Sequence, residues 1–137
     1  MSANIYILDT NVVSDIIKKY LPVLEHVRLK QSGNVLCLVQ PVEYEILRGL
    51  FRTKASGQIR YYQTQLRPRF QWLALTDADW GIAAQFWADM ITIGRQISDI
   101  DLLVAAITKR LGGILVTSDN DFDDLSSIAR ENWRIQP

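Results

Sequence analysis

Apolar residues in this chain follow two patterns, short unbroken runs and longer stretches spaced at three to four residues. Ile5–Leu8, Val35–Val39 and Ile114–Thr117 are unbroken runs, the pattern of strands buried on both faces. Each stops at a polar break: Asp9-Thr10-Asn11, Gln40-Pro41 and Ser118-Asp119-Asn120-Asp121. After the first break, Val12, Val13, Ile16 and Ile17 keep helical spacing as far as Tyr20. Pro22 suits the first turn of a second helix, which carries Val23, Leu24, Val27 and Leu29 to Gln31 before the turn Ser32-Gly33-Asn34. Pro41 opens a helix holding Val42, Glu43, Glu45, Ile46, Leu47 and Leu50. A polar helical region follows from about Ala55 to Leu66, and then Phe70–Leu75 as a short strand.

Thr76, with Asp77 and Asp79 in the next turn, predicts a helix whose apolar face is Trp80, Ile82, Ala83, Phe86, Trp87 and Met90. Ser98 caps a helix over Asp99–Leu111 whose centre, Leu102 to Ile107, is apolar almost all round, and Gly112-Gly113 ends it. Trp133-Arg134-Ile135 predicts a last edge strand. Strands alternating with helices imply an α/β sandwich around a mainly parallel sheet.

Composition narrows this picture. At 137 residues the chain is expected to form a single domain over residues 1–137, with 48% hydrophobic residues and 22% charged, an ordinary globular balance. One cysteine, Cys37, excludes an intrachain disulfide and sits in an apolar run, which fits a reducing, cytoplasmic setting. The four-residue apolar start is too short for a signal peptide core, and no run of 18 apolar residues predicts a membrane span. Fifteen basic residues against fifteen acidic ones exclude a globally basic nucleic-acid binder, but not a locally basic surface.

Ligands of open parallel sheets bind at the carboxyl ends of the strands, and the acids of this chain collect at those ends. Asp9 follows the first strand, Asp119 and Asp121 follow the third, and Glu45 and Asp101 lie early in helices that start near the same edge. Taken singly, each has an ordinary explanation. Asp9 with Thr10 and Asn11 caps a helix, Glu45 like Glu43 is a solvated helix residue, and Asp99 and Asp101 complement a helix dipole. Asp119 and Asp121 suit Asx turns, with Asp123 and Asp124 as a solvated patch.

Taken together, four or five carboxylates on one spot repel one another unless a cation relieves them. With one histidine, His26, read as an exposed or half-buried helix residue, and one cysteine, a His-rich or Cys-rich zinc site is excluded. Oxygen-only donors suit Mg²⁺ or Mn²⁺, and displacement at phosphorus is the chemistry such ions serve. No P-loop or dinucleotide fingerprint is spelled in the chain.

Four ordered stretches carry a resemblance: Ile7 to Ser14, Glu45-Ile46-Leu47-Arg48-Gly49, Ile97 to Ala106, and Leu115 to Phe122. In that order and spacing they resemble the motifs of PIN domains, and most of all those of VapC toxins from toxin–antitoxin pairs, a likeness that extends to the ending Glu131-Asn132-Trp133. The resemblance implies a Mg²⁺- or Mn²⁺-dependent endoribonuclease with a three-layer α/β/α sandwich around a mainly parallel sheet, usually a homodimer, held in check by a small antitoxin. Carried over by position, Asp9, Glu45, Asp101 and Asp119 match the catalytic acids. Asp9, Asp101, Asp119 and Asp121 match metal ligands, with the fourth ligand either Asp119 or Asp121. Asn11, Thr117 and Asp99 match supporting polar positions, and the spacing to Gly49 selects Glu45 over Glu43.

Between Ile46 and Thr76 the chain carries Arg48, Arg52, Lys54, Arg60, Arg67 and Arg69 and no acid, interleaved with Tyr61, Tyr62, Phe70 and Trp72. This stretch is either a surface for RNA or a partner, reached through Arg48, Arg52, Arg60, Arg67 and Arg69, or a solvated helical face over core aromatics. Three other readings compete: a non-catalytic PIN-like interaction module, an RNA-processing nuclease outside a toxin pair, and a phosphoacceptor receiver domain. The last needs a lysine after the final core strand, where Thr117-Ser118-Asp119 stands instead.

Overall fold

A computed structural model describes residues 3–135. Five strands, β1 (Ile5–Leu8), β2 (Val35–Val39), β3 (Gln71–Leu73), β4 (Ile114–Val116) and β5 (Ala129–Glu131), form one sheet in the order β3-β2-β1-β4-β5. All four pairings are parallel. Consecutive residues of the central strand, Tyr6, Ile7 and Leu8, are all buried, which requires cover on both faces of the sheet.

That cover comes from six α-helices: α1 (Thr10–Ile17), α2 (Leu21–Lys30), α3 (Gln40–Arg52), α4 (Ser56–Tyr61), α5 (Asp77–Thr92) and α6 (Asp99–Leu111). The result is the three-layer α/β/α sandwich. The chain runs outward from β1 through β2 to β3, then crosses back to β4 on the other side of β1. The strand order therefore reverses between β1 and β4, and in doubly wound sheets the crevice at that reversal is where ligands bind.

Local chemistry explains the element ends. The Thr76 hydroxyl accepts from the Asp79 N–H while the Asp79 carboxylate accepts from the Thr76 N–H, a complete capping box at the start of α5. Helix α6 ends at Gly112 with φ of 60°, a left-handed turn a side chain would strain. At Gly113 a Cβ would stand 2.8 Å from the Ile5 carbonyl oxygen, so the absence of a side chain lets the chain enter β4 tight against β1.

Several expectations need correction. The last strand is Ala129–Glu131 rather than Trp133–Ile135. Trp133 lies past the strand and is buried, its ring 5.3 Å from that of Tyr6 and stacked 5.4 Å from His26. Burying a large ring at the end of the domain outweighs adding another ladder. His26 is accordingly buried, its Nε2 2.7 Å from the Ile135 carbonyl. The strand expected over Phe70–Leu75 shortens to Gln71–Leu73 because Arg67–Arg69 form a 3₁₀ turn leading into it.

The polar helix over 55–66 divides into α4 and one π-helical turn, Tyr62–Leu66, which turns Tyr62 and Leu66 into the core. On α5 the buried face is Ala83, Phe86 and Met90, whereas Trp80 and Trp87 stand half exposed on its flank. Asp123 and Asp124 pair with Arg130 and Arg95 rather than forming a bare acidic patch. Cys37 is buried, and burial pushes its thiol up to about 11, so it serves as a small hydrophobe.

Candidate active site

The polar break after β1 and the polar break after β4 meet because these two strands pair directly. Asp9, buried, is the N-cap of α1, its Oδ1 accepting from the Thr10 N–H at 2.8 Å. Its Oδ2 accepts from the Thr117 hydroxyl at 2.8 Å and from the Asn11 amide at 3.2 Å. Thr117 also accepts from the Asn11 amide and from the Asp119 N–H at 3.0 Å. Asn11 Oδ1 in turn accepts from the Ser118 N–H. One threonine hydroxyl thus ties the loop after β4 to the carboxylate after β1.

The other acids arrive on helices. Glu45, on the second turn of α3, accepts a hydrogen bond from the Thr10 hydroxyl and pairs with Arg48 at 3.3 Å. Asp101, on the first turn of α6, brings one oxygen to within 4.8 Å of oxygens from Asp119 and Asp121. Asp119 Oδ1 accepts from the Asp121 N–H, which folds these two side by side.

The electrostatics follow from this crowding. Burial lifts the Asp9 carboxyl above the ordinary range, and Glu45 and Asp119 push the same way, against the hydrogen bonds from Thr117 and the Thr10 N–H. Asp101 is pushed up to about 7, first by burial, then by Asp9, Asp119 and Glu45, with the Ser98 hydroxyl opposing. Five carboxylates from four segments therefore share a site whose negative charge is not matched locally. The donors are all hard oxygens, with His26 and Cys37 engaged elsewhere in the core, and such a set can hold a divalent ion of the Mg²⁺ or Mn²⁺ kind.

The remaining site expectations divide. Asp99 stands on a different face from Asp101 and lines a groove with Trp80 and Trp87, away from the acid cluster. Arg48 is the cation beside Glu45. Arg67 is committed inward: its Nε bonds Glu43 at 2.6 Å and its guanidinium lies 4.7 Å from the centre of the Trp72 ring. Arg52, Arg60 and Arg69 are exposed. Two roles escaped the reading of the sequence. Thr10 buttresses Glu45, and Glu43 accepts from Tyr62 and Arg67 to brace the π-helical turn. The only advance sign of the second was that Glu43 and Glu45, two apart on a helix, must face different ways.

Comparison with known proteins identifies the fold. The family model for the PIN domain matches residues 6–128, nearly the whole described chain. The chain belongs to the PIN domain family. Solved PIN-fold structures superpose on it over almost their full length. The DNA-bound VapBC complex from Salmonella typhimurium gives a TM-score of 0.84 at 21% identity, covering 97% of this chain and 99% of that one. VapBC-1 from nontypeable Haemophilus influenzae gives 0.83 at 20%, covering 96% and 99%. VapC20 from Mycobacterium tuberculosis, a sarcin–ricin-loop-cleaving toxin, gives 0.63 at 16%, covering 96% and 99%. No curated protein matches the sequence. At these identities the shared feature is the fold itself.

Proposed function

We propose that this PIN domain is a divalent-metal-dependent endoribonuclease and the toxin half of a toxin–antitoxin pair. The observation that carries the reading is the convergence of Asp9, Glu45, Asp101, Asp119 and Asp121 at the β1/β4 crevice. Asp9, Asp101, Asp119 and Asp121 are the candidate ligands of Mg²⁺ or Mn²⁺, with Glu45 completing the catalytic set. A bound ion of this kind lowers the pKa of a coordinated water and polarises a phosphodiester.

The chain's own residues supply position. Thr117 fixes Asp9 and the loop carrying Asp119 through one hydroxyl, Asn11 closes that network, and Thr10 holds Glu45 against the start of α1. Arg48, beside Glu45 and largely exposed, offers its remaining N–H groups to a phosphate. Arg52 and Arg60 are exposed cations suited to the phosphates of a single strand, whereas Arg69 lies beside Asn34 and Val35 at the amino end of the sheet, the end opposite the acids.

The structural relatives include VapBC complexes, two of them with DNA. This supports a small antitoxin as the partner here; a homodimer in the cytoplasm belongs to the same proposal and rests on the resemblance to VapC toxins. None of the helices among the described residues is long and apolar enough to cross a membrane.

The test is RNA cleavage by the antitoxin-free protein with Mg²⁺ or Mn²⁺. Cleavage is expected to stop in excess EDTA and in Asp9→Asn and Asp101→Asn variants. Cleavage that survives either treatment overturns the assignment.

A further inference from the structure

Beyond the acid cluster, a polar cavity of about 370 Å³ opens where β4 and β5 end. The two strands are held together there by the bond from the Thr117 N–H to the Glu131 carbonyl at 3.0 Å. Its walls include Ser118, Asp119, Asn120, Glu131 and Asn132, with Arg130, whose guanidinium is paired with Asp123 at 2.6 Å. Asp119 and Thr117 belong to both this cavity and the acid cluster, so the two spaces share a wall. The cavity is lined mainly by polar groups, unlike the groove beside Trp80 and Trp87.

The hydrogen-bonding character of the cavity is set by contacts already made. Asn132 Oδ1 accepts from the Arg134 N–H at 3.0 Å, which fixes the amide so that its NH₂ is the group left to offer. Glu131 Oε1 accepts from the Trp133 indole at 3.0 Å, which anchors the carboxylate and leaves its other oxygen as an acceptor. The Asn120 amide and the Ser118 hydroxyl make no hydrogen bond to the described residues and add adaptable polar groups. A carboxylate acceptor and an amide donor in one pocket complement a base edge. Guanine is the base that sets two donors, N1–H and the 2-amino group, side by side, so that both reach the free Glu131 oxygen, which has two lone pairs, while O6 takes the Asn132 amide; uracil offers such an edge only one donor. Single-stranded RNA is read in this way, with bases splayed out and bonded along their edges.

We propose that this cavity is a nucleobase subsite, selective for guanine, that receives the base next to the phosphodiester held at the acid cluster. The identity of the ligand rests on the ribonuclease reading, but the test requires no turnover. Guanosine 5′-monophosphate and uridine 5′-monophosphate are titrated, with Mg²⁺ present, into ¹⁵N-labelled protein, and the side-chain amide signals of Asn120 and Asn132 are followed.

The expected result is that the guanine nucleotide moves both signals and binds at least tenfold more tightly than the uracil nucleotide. Glu131→Gln keeps the acceptor for Trp133 but turns the free oxygen into a donor. It is expected to reduce guanine nucleotide affinity at least tenfold while leaving that of the uracil nucleotide in place. Equal response to the two nucleotides, or guanine affinity unchanged in Glu131→Gln, overturns the subsite whether or not the protein cleaves RNA. Loss of metal-dependent cleavage from the wild-type protein, with guanine-selective shifts intact, overturns the nuclease reading and leaves the pocket standing.

Discussion

Asp101→Asn is expected to make the metal-free protein more stable and less active at once. The Asp101 carboxyl moves from an ordinary 3.8 in the unfolded chain to about 7 in the fold. Because the folded value is the higher one, the folded state holds its proton longer, and stability falls as pH rises from the unfolded value through the folded one. At about 1.36 kcal/mol per pKa unit, the full shift corresponds to about 4 kcal/mol at pH 8. Partial exposure of the group and screening by solvent reduce this to about 2 kcal/mol.

Asparagine removes the charge and keeps the shape, so urea denaturation in EDTA is expected to show the variant more stable by about 1–2 kcal/mol at pH 8, with most of the gain gone at pH 4.5. Saturating Mn²⁺ is expected to reverse the order, because wild-type protein gains about 2.7 kcal/mol at a metal concentration one hundred times its Kd and the variant gains less. A variant that is less stable than wild type at pH 8 in EDTA, or whose difference is the same at both pH values, refutes the account of a strained carboxylate cluster.

Thr117→Val removes the hydroxyl that Asp9 Oδ2, the Asn11 amide and the Asp119 N–H all use. It is expected to cost about 1–3 kcal/mol in urea melts and to weaken Mn²⁺ binding about 10–100-fold by calorimetry. Since the Thr117 bond lowers the Asp9 pKa, its loss raises the proton's competition with metal, and the affinity gap is expected to narrow as pH rises; a gap independent of pH contradicts this. Replacing Arg52 and Arg60 together by Ala is expected to flatten the dependence of log RNA affinity on log salt by about 1.4, whereas an unchanged slope removes these residues from the RNA track. Asp79 is wholly buried under Arg110, and although burial raises its pKa, the bonds from Arg110 and Thr76 hold it below the usual range. Asp79→Ala is expected to cost about 3–5 kcal/mol at pH 7 in denaturant titration, and the stability Asp79 supplies is lost as pH falls below about 4, through its depressed folded value.

The sequence by itself determined the elements and the inventory of chemistry. Unbroken apolar runs at Ile5–Leu8 and Val35–Val39 read as buried strands because a strand covered on both faces has no position for a polar side chain. The caps at Thr76 and Ser98 were legible because capping is a bond between near neighbours in the chain. A single histidine and a single cysteine excluded a His-rich or Cys-rich zinc site. The four spaced motifs carried the PIN resemblance, which the family match over residues 6–128 bears out.

Tertiary structure decided which polar residues answer one another. Glu43 and Arg67 were expected on solvent and on RNA, yet they bind each other across 24 positions, with Tyr62 between them. Asp99 differs from Asp101 only by a helix angle, and that angle sends it to the Trp80 groove instead of the cluster. His26 and Trp133, 107 positions apart, stack because the end of the chain returns across β1. Propensity and capping act over a few residues and are written in the order of the chain. Pair choice depends on strand order, here the return of β4 to the side of β1, and that order is what brings Asp9 to Thr117 and turns scattered acids into one site.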